Sequence, residues 1–302
     1  MAPVAPRTRT SPQRLLSGYA AGGFGLLVVG LGGWWFTVAM GVIVHLGLQE
    51  YFRMARRSDI RPAVKTTLVL SQLLLITTQW ANGGDAGVGF AADLAAAMLP
   101  LSGAAICGWL LLQPVTGSIA DISASIFGFF YLGFLPSHWI RLRDLTDLAL
   151  APRLAGWPPG WPPVSSGMVL MLMACLLIVA TDIGSYVIGR RLGRHPLSPI
   201  SPGKTVEGAI GGLGCAALLG AFWGELLGWH WGWAVGGLLG GVVAVFALVG
   251  DLTESMMKRG AGVKDSGDVI PGHGGILDRI DSYLFTPAAF FYVVTLLLPL
   301  IR

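Results

Sequence analysis

Charged side chains are concentrated between residues 251 and 281, in a chain in which only 12% of the residues are charged. This segment contains Asp251, Glu254, Asp265, Asp268, Asp278, Asp281, Lys258, Arg259, Lys264 and Arg279. Gly274-Gly275 predicts a break before a final helix, whose first turn then carries Asp278 and Asp281 on one side. Carboxylates that face one way can share a hard cation such as Mg²⁺, which takes oxygen ligands and often binds phosphates as well. We therefore predict a site for metal ions and phosphates, with glycine-rich backbone that can turn N–H groups toward an anion.

An alternative explanation for these charges is a solvated loop beside a membrane. Acids in the first turn of a helix offset its macrodipole, which would account for Asp278 and Asp281 alone. A solvated loop accounts less well for six acids and four bases within 31 positions. We therefore favour the site for metal ions and phosphates. If the preceding helix continues past Asp251, Glu254 and Lys258 share its face.

A second polar cluster comprises Asp182, Tyr186 and Arg190, followed by Ser201, Lys204 and Thr205. Asp182 lies within an apolar stretch, where a lone carboxylate costs roughly 2.5–3.5 kcal/mol and so usually has a partner and a function. A structural ion pair with an arginine of the next loop is the alternative. Gly203-Lys204-Thr205 is similar to part of a P-loop, but that motif needs a glycine where Ser198 stands. A lysine and a hydroxyl near the start of a helix can still hold phosphate.

The elements that must position these residues are membrane-spanning helices. The chain is 54% hydrophobic with a mean hydropathy of +0.68, which indicates that lipid rather than water surrounds most of its apolar side chains. Apolar segments of spanning length predict an all-α polytopic membrane protein with about nine transmembrane helices, at 16–32, 33–50, 64–82, 92–113, 119–139, 167–189, 207–227, 230–250 and 283–301. The first two depend on a turn at Gly32-Gly33-Trp34-Trp35, without which the count is eight.

The loops between these helices carry an asymmetric charge. Sixteen of the 20 Lys and Arg residues fall on one side of the predicted topology, which the positive-inside rule makes cytoplasmic together with the N-terminus. We expect one membrane domain over 1–302. It comprises a cytoplasmic tail (1–15), N-terminal helices and an external loop (16–166), and catalytic helices (167–302) with cytoplasmic loops at 190–206 and 251–282.

The two polar clusters together resemble the phosphatidate cytidylyltransferase family, also called CDP-diacylglycerol synthases. The family's C-terminal pattern is matched at every position by Ser255, Lys258, Arg259, Lys264, Asp265, Gly267, Ile270, Pro271, His273, Gly274, Gly275, Asp278, Arg279 and Asp281. The second cluster is similar to the family's Asp…Tyr…Gly-Arg and Ser-Pro-x-Lys-Thr-x-Glu-Gly segments. It departs from them at Ser185, where alanine is usual, and at Gly203, where lysine is common.

This resemblance implies that CTP and phosphatidic acid give CDP-diacylglycerol and pyrophosphate, with Mg²⁺, a second cation as a further option, and a homodimer. It implies metal ligation by Asp251, Asp278 and Asp281. We expect Lys258, Arg259, Lys264, Asp265 and Arg279 to be catalytic, and Asp182, Tyr186, Arg190, Ser201, Lys204, Thr205, Ser255 and His273 to bind substrate. His273 stands among glycines, and shaping the loop is its alternative role.

The expected location is a bacterial-type inner membrane, with a plastid membrane as the alternative, and no nucleic acid is expected as a partner. Two other functions are considered. A CTP-dependent kinase acting on a polyprenol or phytol would share the nucleotide and the membrane. A transporter would explain Asp182 and the glycine-rich helices, but it should carry polar residues along both halves of its path.

Overall fold

The computed structural model describes residues 12–83, 88–156, 164–269 and 274–300. Its helices are α1 (Pro12–Leu31), α2 (Gly33–Arg57), α3 (Val64–Asn82), α4 (Val88–Leu111), α5 (Ile119–Arg143), α6 (Ser166–Leu192), α7 (Val206–Leu227), α8 (Gly232–Gly260) and α9 (Leu277–Leu300). A short antiparallel hairpin, β1 (Pro196–Ser198) and β2 (Ser201–Thr205), joins α6 to α7. Two 3₁₀ turns, Leu148–Leu150 and Pro152–Gly156, follow α5.

Two of the helices are irregular. A π-helical segment, Phe130–Phe134, interrupts α5. In α9 the chain runs as a short α segment, Leu277–Ile280, then a 3₁₀ turn at Asp281–Tyr283, then α-helix from Thr286 and a second π segment at Val293–Leu297. The 3₁₀ turn carries Asp281, one of the predicted metal ligands.

Six of the helices in the described residues, α4 to α9, are long and apolar enough to cross a membrane. Large apolar side chains face outward on them, such as Leu112 just after α4, Leu218 on α7 and Leu238 on α8. The prediction of an all-α membrane protein is therefore confirmed. Helices also lie at each of the nine predicted places, but a count of nine membrane spans and the orientation of the N-terminus stay predictions.

The turn between α1 and α2 lies at the predicted glycines. Gly32 and Gly33 have φ angles of +63° and +51°, a left-handed conformation that glycine adopts without strain. A Cβ at Gly32 would lie 2.6 Å from the guanidinium of Arg143, which itself donates to the Val29 carbonyl at 2.6 Å. A side chain from α5 thus fixes the place where the first helix ends.

Glycines let α7 and α8 approach each other closely. A Cβ at Gly220 would lie 2.1 Å from the carbonyl oxygen of Gly236, and one at Gly224 would lie 2.0 Å from that of Gly232. Gly220 and Gly224 on α7, and Gly236 and Gly240 on α8, are each spaced four residues apart, a pattern that from sequence alone fits contacts either within the chain or between subunits. At these positions they serve contacts within the chain.

Polar contacts gather at two opposite ends of the helices. At one end, which we call the site end, the Arg61 N–H donates to Asp121 at 2.6 Å and Lys204 pairs with Asp251. At the other end, the indole of Trp229 donates to the Leu150 carbonyl at 2.8 Å. The predicted loop at 190–206 thus meets the start of the 251–282 segment, and Arg53 and Arg57 at the end of α2 lie beside Val263 and Asp265 of the same segment.

Candidate active site

A cavity of about 490 Å³ opens at the site end between α6, the hairpin, α7, α8 and the start of α9. Eight of the predicted site residues line it: Asp182, Tyr186, Arg190, Lys204, Thr205, Asp251, Asp278 and Asp281. They come from four separate elements, α6, β2, α8 and α9, so the fold brings the two polar clusters of the sequence into one space. Ser185, which the sequence singled out only as a departure from the family pattern, lines the same cavity.

The electrostatic centre of this cavity is the ammonium group of Lys204. Its Nζ atom is buried and forms an ion pair with the carboxylate of Asp251, which links the hairpin to α8. Asp182 and Asp281 interact electrostatically with Lys204 and with Asp251. Asp251 thus contacts this buried cation directly, and Asp182 and Asp281 lie near it. The alternative considered from the sequence, an ion pair between Asp182 and an arginine of the next loop, is not seen among the described residues.

Asp281 is placed by the contact between α8 and α9. It lies in the 3₁₀ turn, where its Oδ1 accepts a hydrogen bond from the Ser282 N–H at 2.7 Å. Gly250 packs directly against this turn, since a Cβ at Gly250 would lie 2.3 Å from the Asp281 carbonyl oxygen. Gly250 precedes Asp251 in sequence, so the same close contact positions both carboxylates.

Asp278 has a different environment from Asp281. Its Oδ1 accepts from Lys258 at 2.6 Å, and its Oδ2 accepts from the N–H groups of Ser266 and Gly275, each at 2.9 Å. Lys258 also pairs at 2.5 Å with Glu254, whose side chain is fully buried. In this structure Asp278 and Lys258 therefore neutralise each other across α8 and α9, while their roles toward metal and phosphate stay predictions.

On α6, Tyr186 and Arg190 form one exposed unit beside the cavity. Arg190 Nη1 donates to the Tyr186 hydroxyl at 2.8 Å, and the guanidinium lies 5.9 Å from the tyrosine ring centre. Both side chains are exposed, so the guanidinium remains accessible to an anion at the mouth of the cavity.

The hairpin is fixed to the start of α7. Thr205 is the N-cap of α7, because its hydroxyl accepts from the Gly208 N–H at 3.1 Å. Glu207 accepts from the Arg194 N–H at 3.0 Å and from His195 Nδ1 at 2.6 Å. Ser201 lies on β2 but is not among the residues that line the cavity.

The other predicted site residues lie away from the cavity lining. Ser255 is buried on α8, Lys264 and Asp265 are exposed, and Arg259 donates to the Val263 carbonyl at 3.2 Å. Arg279 is exposed at the start of α9. His273 lies outside the described residues.

Sequence reasoning missed Glu50, a fully buried carboxylate on α2 that contacts the polar C-terminal segment. The signal was present, since Glu50 is a lone acid at the end of an apolar stretch, as Asp182 is. The argument applied to Asp182 would have found it.

A Mg²⁺ site needs several oxygen ligands arranged around one point. Among the residues that the structure describes, no group of three or more His, Cys, Asp or Glu side chains is arranged to hold a metal ion. The donor chemistry nevertheless fits, because Asp182, Asp251 and Asp281 offer only oxygen atoms, which Mg²⁺ prefers. The buried ammonium of Lys204 stands where a cation would be attracted.

The fold and the cavity together define an integral membrane protein with a charged site, at one end of its helices, suited to polyanionic ligands. The family model described as "Cytidylyltransferase family" matches residues 12–297, so the chain belongs to this family. A phosphatidate cytidylyltransferase from Synechocystis sp. is 47% identical over 301 residues, covering 96% of this chain and 98% of the relative.

Two further relatives extend this similarity. Phosphatidate cytidylyltransferase 4, chloroplastic, from Arabidopsis thaliana is 38% identical and covers 89% of this chain and 69% of its own length. A phosphatidate cytidylyltransferase from Bacillus subtilis is 29% identical, with 94% of this chain and 97% of the relative covered.

Proposed function

We propose that this protein transfers CMP from CTP to phosphatidic acid, giving CDP-diacylglycerol and pyrophosphate. The observation that carries the proposal is the 47% identity, over almost the whole of both chains, to a relative named phosphatidate cytidylyltransferase. The charged cavity supports it, because both reactants are polyanions that must be brought together at the membrane surface.

The main obstacle to this reaction is electrostatic. An oxygen of the lipid phosphomonoester forms a bond to the α-phosphorus of CTP, the bond from that phosphorus to the bridging oxygen breaks, and pyrophosphate leaves with the electron pair. The attacking oxygen is already anionic, so no side chain has to remove a proton from it. Positive groups that reduce repulsion and stabilise the leaving group are therefore the main catalytic requirement.

The basic residues at the cavity meet this requirement. Lys204 exchanges its contact with Asp251 for one with a phosphate, and Arg190 receives a second phosphate at the exposed mouth of the cavity. Lys258, Arg259, Lys264 and Arg279 lie outside the cavity lining, and we assign them to phosphates of CTP and lipid without a division between them.

The acids of the cavity would hold Mg²⁺. Asp251 and Asp281 are the principal proposed ligands, with Asp278 as a third and Asp182 as a neighbour that adds negative charge. Bound Mg²⁺ would neutralise triphosphate charge and stabilise the departing pyrophosphate.

We further propose that nine helices span the membrane, that the N-terminus and the site end face the cytoplasm, and that the protein is a homodimer in a bacterial-type inner membrane. The concentration of basic residues in the loops of the site end supports this orientation. The exposed Ile183 and Tyr186 beside the cavity support a sideways approach of the lipid, with its acyl chains kept in the bilayer.

Product analysis tests the function. The purified protein in detergent receives Mg²⁺, CTP labelled with ³²P on either the α- or the γ-phosphate, and phosphatidic acid or, in a parallel reaction, a polyprenol or phytol as the acceptor. The proposal predicts α-label in the lipid and γ-label in pyrophosphate. A lipid kinase would instead transfer the γ-label to the lipid acceptor and release CDP, and that result would overturn the proposal.

A further inference from the structure

Glu50 joins the N-terminal half of the chain to the C-terminal polar segment through its buried carboxylate. Oε1 accepts from the Ile276 N–H, and Oε2 accepts from the Leu277 N–H and the Ser266 hydroxyl, all at 2.9 Å. The side chain is 0% exposed, so none of these bonds competes with solvent. In the sequence Glu50 lies 226 residues from Ile276.

These bonds provide acceptors for the backbone N–H groups at the start of α9. The first N–H groups of a helix have no partner within the helix, and they make its N-terminus partly positive. Glu50 supplies an acceptor and a negative charge from a different helix, at the place where a local N-cap residue would normally act. Ile276, at the N-cap position, has no side chain that could do so, and no side-chain cap bond is made there.

The loop is shaped to admit this carboxylate. A Cβ at Gly267 would lie 2.6 Å from Glu50 Oε1, and a Cβ at Gly275 would lie 2.4 Å from Oε2. Two glycines of the polar segment are thus needed at these positions because the Glu50 carboxylate packs against their backbone.

The same contacts lead directly to the proposed metal ligands. The Ser266 hydroxyl lies 2.9 Å from both Glu50 Oε2 and Asp278 Oδ2, and the Gly275 N–H donates to Asp278. Leu277, whose N–H is held by Glu50, begins the turn that continues to Asp281. The position of these two aspartates relative to α8 therefore depends on where Glu50 holds the start of α9.

We propose that Glu50 is a positioning residue of the active site, which holds the first turn of α9 so that Asp278 and Asp281 face the cavity. The proposal deepens the proposed function and rests on it for the identity of the reaction. Glu50 touches no reacting atom; it acts through the backbone of Ile276 and Leu277 and through Ser266.

The charge of Glu50, and not only its shape, is expected to matter. A glutamine at this position has one oxygen and one NH₂ group. Since the Ile276 N–H donates to Oε1 and the Leu277 N–H donates to Oε2, the NH₂ group of the glutamine would face a backbone donor in either orientation. The variant Glu50→Gln therefore tests the acceptor function with little change in volume.

The experiment compares full-length wild type, Glu50→Gln and Ser266→Ala in detergent. The matched control is Glu225→Gln, because Glu225 also accepts a backbone bond, from the Trp233 N–H at 2.9 Å, but at the opposite end of α7. Two quantities are titrated with Mg²⁺: CDP-diacylglycerol formation, and the thermal midpoint followed by a thiol-reactive fluorophore on the free cysteines. The second readout requires no turnover, since a ligand that binds the folded state raises the midpoint by mass action.

For Glu50→Gln we expect the Mg²⁺ concentration at half effect to rise about 10- to 100-fold in both titrations, as is typical when the groups that orient metal ligands are lost. Ser266→Ala should shift it in the same direction by less, and Glu225→Gln should match the wild type. A role confined to stability would lower the thermal midpoint without Mg²⁺ but leave both half-effect concentrations unchanged, and this would overturn the proposal. If Glu50→Gln cannot be purified folded, an unchanged Mg²⁺ dependence in Ser266→Ala overturns it.

The outcomes also separate this proposal from the proposed function. A wild type that makes no CDP-diacylglycerol, but whose Mg²⁺ thermal shift is weakened in Glu50→Gln, would refute the reaction and support the positioning role. A wild type that is active, with an unchanged Mg²⁺ dependence in Glu50→Gln, would refute the positioning role alone.

Discussion

The contact between Gly250 and the turn that carries Asp281 leads to a quantitative prediction. A Cβ at Gly250 would lie 2.3 Å from the Asp281 carbonyl oxygen, whereas ordinary contact begins at 3.4 Å. In Gly250→Ala the two backbones must therefore separate by about 1.1 Å along this line. Because one of them carries Asp281 and the other continues into Asp251, the displacement falls on the proposed ligands.

A misplacement of about 1 Å at a reacting centre can cost on the order of 100-fold in rate, and we expect kcat for CDP-diacylglycerol formation to fall by about this factor. Overpacking should also destabilise the fold by about 1–3 kcal/mol, partly offset by the helix propensity of alanine. The control is Gly241→Ala on the same helix, where a Cβ would meet nothing within 4 Å.

The assay measures labelled lipid formed from α-³²P CTP at saturating substrate, together with the thermal midpoint of each variant. Gly241→Ala should retain wild-type turnover and stability. Wild-type turnover in Gly250→Ala would refute the reasoning, because it would mean that the separation of α8 from the Asp281 turn does not determine the reaction geometry.

Three further predictions concern charge. Replacing Lys204 by methionine should lower kcat about 100-fold, as expected when one electrostatic stabiliser of a transition state is lost; a change in the KM for CTP alone would place Lys204 in binding only. Lys258→Met should destabilise the protein by about 3–5 kcal/mol, because the carboxylates of Glu254 and Asp278 lose their shared cation. Denaturation in detergent measures the loss of stability, and an unchanged denaturation midpoint would contradict the prediction. Chelation with EDTA should abolish turnover and added Mg²⁺ should restore it, whereas full activity in EDTA would contradict a role for divalent cations.

Much of the helical framework could be predicted from the sequence, because apolar length alone identifies a helix that can cross lipid. The break at Gly32 and Gly33 was also visible, since two glycines separate two apolar runs. The helix ends were less accurate: α8 continues to Gly260 and α9 begins at Leu277, both beyond the predicted apolar segments. Polar residues at the membrane surface extend these helices, and a hydropathy pattern identifies only the apolar part of each helix.

The composition of the cavity was predictable in part. Spacing placed Asp278 and Asp281 on one short turn, but it did not show that Asp278 would pair with Lys258 while Asp281 faced Asp251 across the cavity. The ion pair between Lys204 and Asp251 likewise joins segments whose proximity is set by tertiary packing. Glu50 could be suspected as a lone buried acid, but its partners could not be identified, because no local periodicity connects them.

The central claim is that the carboxylates at the ends of the last helices drive a cation-dependent transfer of CMP. The most direct test is the rate of α-³²P transfer from CTP to phosphatidic acid by Asp281→Asn, a change that keeps an oxygen able to accept the Ser282 N–H bond. The control is Asp59→Asn, in an exposed turn with φ of 57°, a conformation that asparagine tolerates well. We predict full activity in the control and no Mg²⁺-dependent transfer in Asp281→Asn, with its thermal midpoint retained; near-normal transfer by folded Asp281→Asn would contradict the account.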